Sequence, residues 1–425
     1  MLLLAINTTI VTTGIVVFLI VILILVGILL FAKAKLTAKG DVKISINNGD
    51  RIITTEPGSS LLSTLAGQKI FLPSACGGKG SCGMCKCQVD SGAGSILPTE
   101  TGFFSYKQQH ENWRLACQVK VKENIEMRIP ESVMGIKKWE CTVVSNRNIS
   151  TFLKEFVVKL PEGENLKFKS GGYIQIDVPA LDVDFKDMII DEKYKGDWEK
   201  MKMFDLKMHN PEPTYRAYSM ANSPAEGNII MLNIRIATPP FDKATGGFMK
   251  VNPGICSSYV FSRKPGDKIT ISGPYGEFFL PDDLPDTQEL IFIGGGAGMA
   301  PMRSHLMHLF KTEKTKRPVS FWYGARALKE VPYLDEFHQI EKDFPNFSFN
   351  LALDRPDPEA DAAGVKYTPG FVHNVLYENY LKNHQAPEDC IYLMCGPPMM
   401  IASVVKMLDN LGVPPENILY DNFGS

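Results

Sequence analysis

The 425-residue chain has no excess of charge of either sign, since 45 Lys and Arg stand against 47 Asp and Glu. A net charge of −2 leaves no basic footprint for nucleic acid, and that partner class is excluded at the outset. In one stretch charge is missing altogether. From Leu2 to Ala32 there is no Asp, Glu, Lys or Arg, and Ile15 to Phe31 is almost purely aliphatic. Some twenty such residues rise about 30 Å as a helix, enough to cross a bilayer. Lys33, Lys35 and Lys39 follow the run and no charge precedes it. The positive-inside rule then predicts an N-terminus outside and cytoplasmic domains behind the span. A cleaved signal peptide is the competitor, with Ala32-Lys33-Ala34 loosely resembling a cleavage site. Such a peptide has a basic front and a shorter apolar core. A transmembrane anchor over residues 1–37, its span about 12–32, is therefore expected.

Nine cysteines is an odd number, and disulfides need an oxidising compartment. The chain also lacks the two short cysteine pairs usual for structural zinc. It has instead Cys76-Gly-Gly-Lys-Gly-Ser-Cys82-Gly-Met-Cys85, with five residues in the first gap and two in the second. Cys117 stands alone after 31 further residues, in Leu115-Ala-Cys-Gln118. Four thiolates from one loop and one distant segment suit a [2Fe–2S] cluster, which needs two ligands per iron. Gly77, Gly78, Gly80 and Gly83 let the backbone turn tightly and aim N–H groups at sulfur. Cys87, just beyond the loop, reads as a packed thiol. A redox centre makes electron transfer the expected task.

Around the loop, alternating strands at 42–46 and 51–55 flank Asn48-Gly49, a short helix runs from Ser59 to Ala66, and strands at 86–89 and 124–129 bracket a helix near 100–109. This order resembles the β-grasp fold of plant- and adrenodoxin-type ferredoxins over residues 38–131. Plant ferredoxins have four residues in the first cysteine gap where this chain has five. After a linker at 130–138, short strands with turn signals predict an antiparallel β-barrel over residues 132–284. An insertion at 181–213, with nine acidic and six basic residues, interrupts it as a solvated excursion or a docking surface. From residue 285 to 425 strands and helices alternate, predicting a parallel α/β Rossmann-like domain. The whole is multidomain.

Three motifs mark the barrel: Arg216-Ala217-Tyr218-Ser219, Gly254-Ile-Cys256-Ser257 ahead of a short helix, and Gly273-Pro-Tyr-Gly276. In this order they resemble the FAD-binding domain of the ferredoxin-NADP reductase family. The resemblance implies that Arg216 neutralises flavin phosphate, that Tyr218 packs on the isoalloxazine, and that Ser219 bonds near flavin N5. Gly254, Cys256 and Ser257 would line the phosphate and ribityl region. Gly294-Gly295-Gly296-Ala-Gly298 follows an apolar strand and opens a helix, a turn that brings backbone close to a pyrophosphate. With Cys395-Gly396-Pro397-Pro398 it matches the same family's nicotinamide motif. Cys395 would sit near the nicotinamide C4 and shape hydride geometry. Phe423, near the C-terminus, would stack on the flavin as a gate that the nicotinamide displaces. Preference for NADH or NADPH stays open, with Arg326, Glu330 and Asp335 all near the second strand.

NADH gives up two electrons as a hydride whereas a [2Fe–2S] cluster accepts one, and FAD joins the two chemistries. The N-terminal span, the five-residue gap and the insertion together resemble the family of NADH-oxidising subunits of the bacterial sodium-translocating NADH:quinone oxidoreductases. That resemblance implies an electron-input component of an inner-membrane complex, passing electrons to membrane redox partners that reduce ubiquinone and export sodium. A membrane-anchored NADH reductase component of an oxygenase is the alternative, and a redox sensor that binds NADH without sustained turnover is a third.

Overall fold

The computed structural model describes residues 8–36, 40–242, 244 and 246–421. Phe423 lies outside the described residues. The chain divides into two compact units, Met1–Leu72 with Cys85–Pro130, and Pro73–Met84 with Glu131–Ser425.

The first unit opens with a 29-residue helix, Thr8–Leu36. Ile15, Phe18, Leu23 and Phe31 expose 54, 64, 69 and 67% of their surface. At 100° per residue these four point to different sides, so the helix is apolar all round. Among the described residues no helix is long and apolar enough to cross a membrane. Five strands follow: β1 (Val42–Ile46), β2 (Arg51–Thr55), β3 (Lys86–Ser91), β4 (Trp113–Leu115) and β5 (Ile125–Arg128). They form one sheet in the order β2-β1-β5-β3-β4, with β1 parallel to β5 and the other pairs antiparallel. The helix Leu61–Gly67, capped where Ser60 Oγ accepts from Ser63 N–H, buries Leu61, Leu62 and Leu65. A mixed sheet with one such helix is the expected β-grasp arrangement.

One expected element in this unit is divided. The stretch near 100–109 forms two helices, Pro98–Thr101 and Tyr106–His110. Ser105 restarts the chain with a reciprocal cap, accepting from Gln108 N–H at 3.2 Å while Gln108 Oε1 accepts from Ser105 N–H at 3.0 Å. The break lets Glu100 turn inward. Its buried carboxylate takes a 2.8 Å bond from Arg114 and another from Leu115 N–H, which fixes the strand that leads to Cys117. Truncating either partner would strand a buried charge, a change that typically costs about 3–5 kcal/mol.

The second unit begins with antiparallel strands: β6 (Lys137–Ser150), β7 (Leu153–Lys159), β8 (Tyr173–Val178), β9 (Leu181–Asp184), β10 (Lys207–Asn210), β11 (Thr214–Ser219), β12 (Ile229–Arg235), the short pair β13 (Phe241–Asp242) and β14 (Gly247–Phe248), and β15 (Lys268–Tyr275). Six of them pair in the order β11-β8-β15-β6-β7-β12. The two ends meet where Met220 bridges Leu232 and Ala221 N–H donates to Met231 O at 2.7 Å, so the sheet closes on itself. The insertion is not a solvated excursion. β9 and β10 form a hairpin around the helix Glu192–Lys200, and Phe185, Met188, Trp198, Met203 and Met208 join the barrel core. Trp198 is fully buried and its Nε1 donates to Thr151 O at 2.7 Å.

A parallel sheet completes the unit: β16 (Leu290–Gly295), β17 (Val319–Ala325), β18 (Phe347–Leu353), β19 (Thr368–Pro369), β20 (Ile391–Cys395) and β21 (Ile418–Asp421). Their order is β19-β18-β17-β16-β20-β21. The chain moves outward from β16 to β19, then crosses back to β20. This reversal leaves a crevice at the carboxyl ends of β16 and β20, the place where open α/β sheets hold ligands. Buried Arg303, on the helix Met299–Met307, grips Glu226 and Glu336 at 2.9 Å and Ala221 O at 2.9 Å, which fastens the barrel to this sheet.

Candidate functional site

A cavity of about 1450 Å³ lies in the second unit at that crevice. Single small-molecule sites span roughly 300–1,000 Å³, so it has room for more than one ligand of that size. Arg216, Ala217, Tyr218 and Ser219 of β11 line it, with Gly254, Cys256 and Ser257 beside them. Gly295, Gly296, Gly298, Gly396 and Pro397 line the opposite wall. Two residues of the predicted set do not. Gly294 and Cys395 are both buried at strand ends and lie outside the lining.

On the barrel side, Arg216 donates to Tyr215 O at 2.7 Å, which holds the guanidinium close to its own strand. Burial raises the Tyr218 hydroxyl well above its ordinary range, so it stays neutral. The helix Ile255–Ser262 begins at Gly254, whose N–H donates to Ala237 O at 2.8 Å. Ser257 Oγ accepts from Ala237 N–H and donates to Gly254 O, both at 3.1 Å, pinning the loop at the positive end of the helix. Cys256 is buried, its thiol pushed up to about 12 by that burial.

On the parallel-sheet side, the glycines serve different ends. A Cβ on Gly298 would stand 1.9 Å from Cys395 O, so the turn after β16 and the end of β20 touch through bare backbone. Gly396 is similarly crowded, by Met400 and Gly295 O. Gly296 has φ +56° and open space where a Cβ would lie. Gly294 packs beneath, against Phe321, Tyr323 and Met302. Arg235, Arg326, Lys329, Glu330 and Asp354 also line the cavity, which therefore offers both cations and acids.

Four contributors are given no role by the sequence motifs. Asp421, at the end of β21, accepts from Ser219 Oγ at 2.9 Å, and burial raises its carboxyl above the ordinary aspartate range. Asn233 lines the cavity with its Oδ1 buried and without a hydrogen-bond partner, while its Nδ2 donates to Tyr333 Oη at 2.7 Å. An acceptor left in this state calls for a donor from a ligand. Ala75 and Met84, each directly before a cysteine of the loop, also line the cavity. No local pattern announces these residues, because only the fold brings them to β11 and β16.

Within the second unit, Cys82 Sγ donates to Cys76 Sγ at 3.4 Å. That bond lowers the Cys76 thiol and raises the Cys82 thiol. The Gly77 φ of +69° and a would-be Cβ 2.7 Å from Arg216 Nη1 leave space there only for glycine. In the first unit, a hydrogen bond with Cys117 and then burial push the Cys85 thiol up, and Ala116 N–H donates to Cys85 O at 2.9 Å. Cys87 is fully buried beside Arg114, its thiol raised to about 12 by desolvation, as a packed cysteine should be.

Three family models match the chain: a 2Fe-2S iron-sulfur cluster binding domain over residues 44–122, an oxidoreductase FAD-binding domain over 201–280, and an oxidoreductase NAD-binding domain over 292–406. The F subunit of a Na(+)-translocating NADH-quinone reductase in a Marinomonas species is 51% identical over 97% of this chain and 98% of its own length. The same protein of Idiomarina loihiensis is 52% identical over the same shares, and that of Pseudomonas aeruginosa 51% over 94% and 95%. Among solved structures, the Amycolatopsis cytochrome P450 reductase GcoB shares the fold at TM-score 0.60 and 24% identity, covering 90% of this chain and 98% of its own. A ferredoxin reductase in carbazole 1,9a-dioxygenase does so at TM-score 0.57 and 23% identity, with the same coverage.

Proposed function

The chain belongs to the F-subunit family of Na(+)-translocating NADH-quinone reductases, and from that premise we propose how its residues divide the work of oxidising NADH. The observation that carries the proposal is one cavity walled by β11, by the glycine turn after β16, and by Ala75 and Met84 of the cysteine loop. FAD belongs on the barrel wall and NADH on the parallel-sheet wall. Bound there, FAD takes electrons as a pair and gives them up singly, which the [2Fe–2S] cluster requires. Cys76, Cys82, Cys85 and Cys117 are the ligands of that cluster.

Arg216 and the start of the helix Ile255–Ser262 supply positive charge and N–H groups for the flavin pyrophosphate. The neutral Tyr218 ring gives the isoalloxazine a flat apolar wall. Ser219 Oγ is aimed by Asp421, and the close contact of Gly298 with Cys395 O sets the depth of the nicotinamide pocket. Cys395 acts through that backbone contact, since its buried thiol is raised far above the range of a nucleophile. Phe423, two residues after Asp421, is the proposed gate. Anaerobic NADH titration tests this division: the flavin band should bleach first and the reduced-cluster EPR signal should follow. Flavin that stays oxidised under excess NADH would overturn it.

The uncharged run Leu2 to Ala32, taken whole, is the proposed membrane anchor, with the remaining domains cytoplasmic, although the helix of the described residues alone is not long and apolar enough to cross a membrane. Support comes from the uncharged run Leu2 to Ala32, the three lysines that follow it, and outward apolar side chains on every face. The partners in this proposal are the other subunits of the inner-membrane complex, which carry electrons on to ubiquinone and couple them to sodium.

Two substitutions test the flavin wall. Arg216→Ala or Tyr218→Ala should lower the FAD copurifying with the protein by at least about 10-fold, a loss of roughly 1.4 kcal/mol or more in binding. Full flavin occupancy in both would reject the site. Asp421→Asn should slow flavin reduction by NADH about 10-fold, the worth of one orienting hydrogen bond. It should also flatten stability against pH. A buried carboxyl with a raised pKa lends stability below the ordinary aspartate value, about 4, and that stability is lost as pH rises through the raised value. Stopped-flow reduction and thermal melts from pH 4 to 8 measure both effects.

A further inference from the structure

We propose that Glu289, His384 and Cys390 form a binding site for a thiophilic divalent cation of the zinc class, at the end of the parallel sheet opposite the nucleotide turns. The register creates it. Leu290 pairs with Ile391 in β16 and β20, so Glu289 and Cys390, one residue earlier on each strand, stand side by side. Gly294 and Cys395 pair in the same two strands five residues on, about 17 Å away. The short helix Leu381–Asn383 then delivers His384 to the pair.

The donor atoms already have the spacing of a coordination sphere. His384 Nε2 is 3.1 Å from Glu289 Oε2 and 3.8 Å from Cys390 Sγ, and the three ligand atoms lie within 4.8 Å of one another. Tetrahedral zinc with bonds of about 2.0–2.3 Å places its ligands roughly 3.3–3.7 Å apart. Sulfur, imidazole and carboxylate are the donor types this ion takes, and three protein ligands leave a fourth position for water. Tyr380 Oη donates to Glu289 Oε1 at 2.5 Å, which orients the carboxylate so that Oε2 faces His384 Nε2. Glu289 and His384 keep 19% and 18% of their side-chain surface exposed. A pocket of about 520 Å³ lined by Tyr380, His384 and Ala386 gives a route in.

A nucleophilic Cys–His pair is the competing use of these residues. Burial raises the Cys390 thiol to about 12, which keeps it protonated and unreactive, while a metal would displace that proton. His384 Nδ1 accepts from Ala386 N–H at 3.2 Å. Binding a metal at Nε2 needs the ring proton on Nδ1, so the hydrogen bond from Ala386 N–H is given up on loading.

The test uses full-length protein loaded with FAD and cluster, stripped of loose metal by chelator and titrated with Co²⁺. One equivalent should bind with a thiolate-to-cobalt charge-transfer band, and Zn²⁺ should displace it. Cys390→Ser should abolish the band, and His384→Gln and Glu289→Gln should each weaken binding at least 100-fold. Tyr380→Phe, which keeps all three ligands, should weaken it about 10-fold. Cys141→Ser and Cys87→Ser should leave the band intact. No uptake by the wild-type protein, or a band that survives in a folded Cys390→Ser variant, overturns the proposal.

Discussion

Cys82→Ala should abolish the rhombic EPR signal of the reduced protein, while reduction of bound FAD by NADH stays within about 3-fold of wild type. On the proposed ligand set, removing one thiolate leaves an iron with one protein ligand instead of two, and the cluster does not assemble. The flavin wall is untouched, because Arg216, Tyr218 and Ser219 are held by β11 and by Asp421. Electron delivery to quinone by the assembled complex should fall at least 100-fold, since the proposed single-electron exit is gone. NADH–ferricyanide activity alongside EPR separates the two effects. A normal EPR signal in the variant refutes the ligand assignment. Parallel loss of flavin reduction would mean that the loop supports the FAD pocket itself, through Ala75 and Met84.

The motifs legible in the sequence are those whose chemistry is local. The loop Cys76–Cys85 carries its spacing and its glycines within ten residues, and the turn Gly294–Gly298 carries the strand, turn and helix start that a pyrophosphate needs. Gly294 and Cys395 belong to those motifs yet lie outside the cavity lining, because a motif specifies a backbone path and some of its residues serve only to pack it. Asp421 and Asn233 are illegible for the opposite reason. Each is a single polar residue on a strand, and its use depends on a partner that is distant in sequence, Ser219 for one and a bound ligand for the other. The insertion at 181–213 misleads because its charge is conspicuous and its core is sparse. Six buried apolar side chains among many charges, Trp198 foremost, are enough to seat it in the barrel core. The helix expected near 100–109 ends at Thr101 with Gly102 as its C-cap, and Ser105 starts a second one.

Gly298→Ala should be the most damaging change of a single atom in the nicotinamide half. Its methyl would stand 1.9 Å from Cys395 O, 2.3 Å from the carbonyl carbon and 2.7 Å from Gly396 N. All three are backbone, so no side chain can swing away, and the turn must separate from the end of β20. Overpacking of this kind costs about 1–3 kcal/mol in stability, and more where nothing can relax. The functional loss should be larger, because a misplacement of about 1 Å at a reacting centre can cost 100-fold in rate. We expect NADH-dependent flavin reduction to drop about 100-fold or more, with FAD content unchanged because the barrel wall is separate. Gly296→Ala is the internal comparison in the same turn. Its φ of +56° costs an alanine about 1–2 kcal/mol, but its methyl meets nothing within 4 Å. Melting of the FAD-loaded protein should therefore fall clearly further for Gly298→Ala than for Gly296→Ala. Equal melting and equal turnover in the two variants would show that the contact with Cys395 does not set the depth of the pocket.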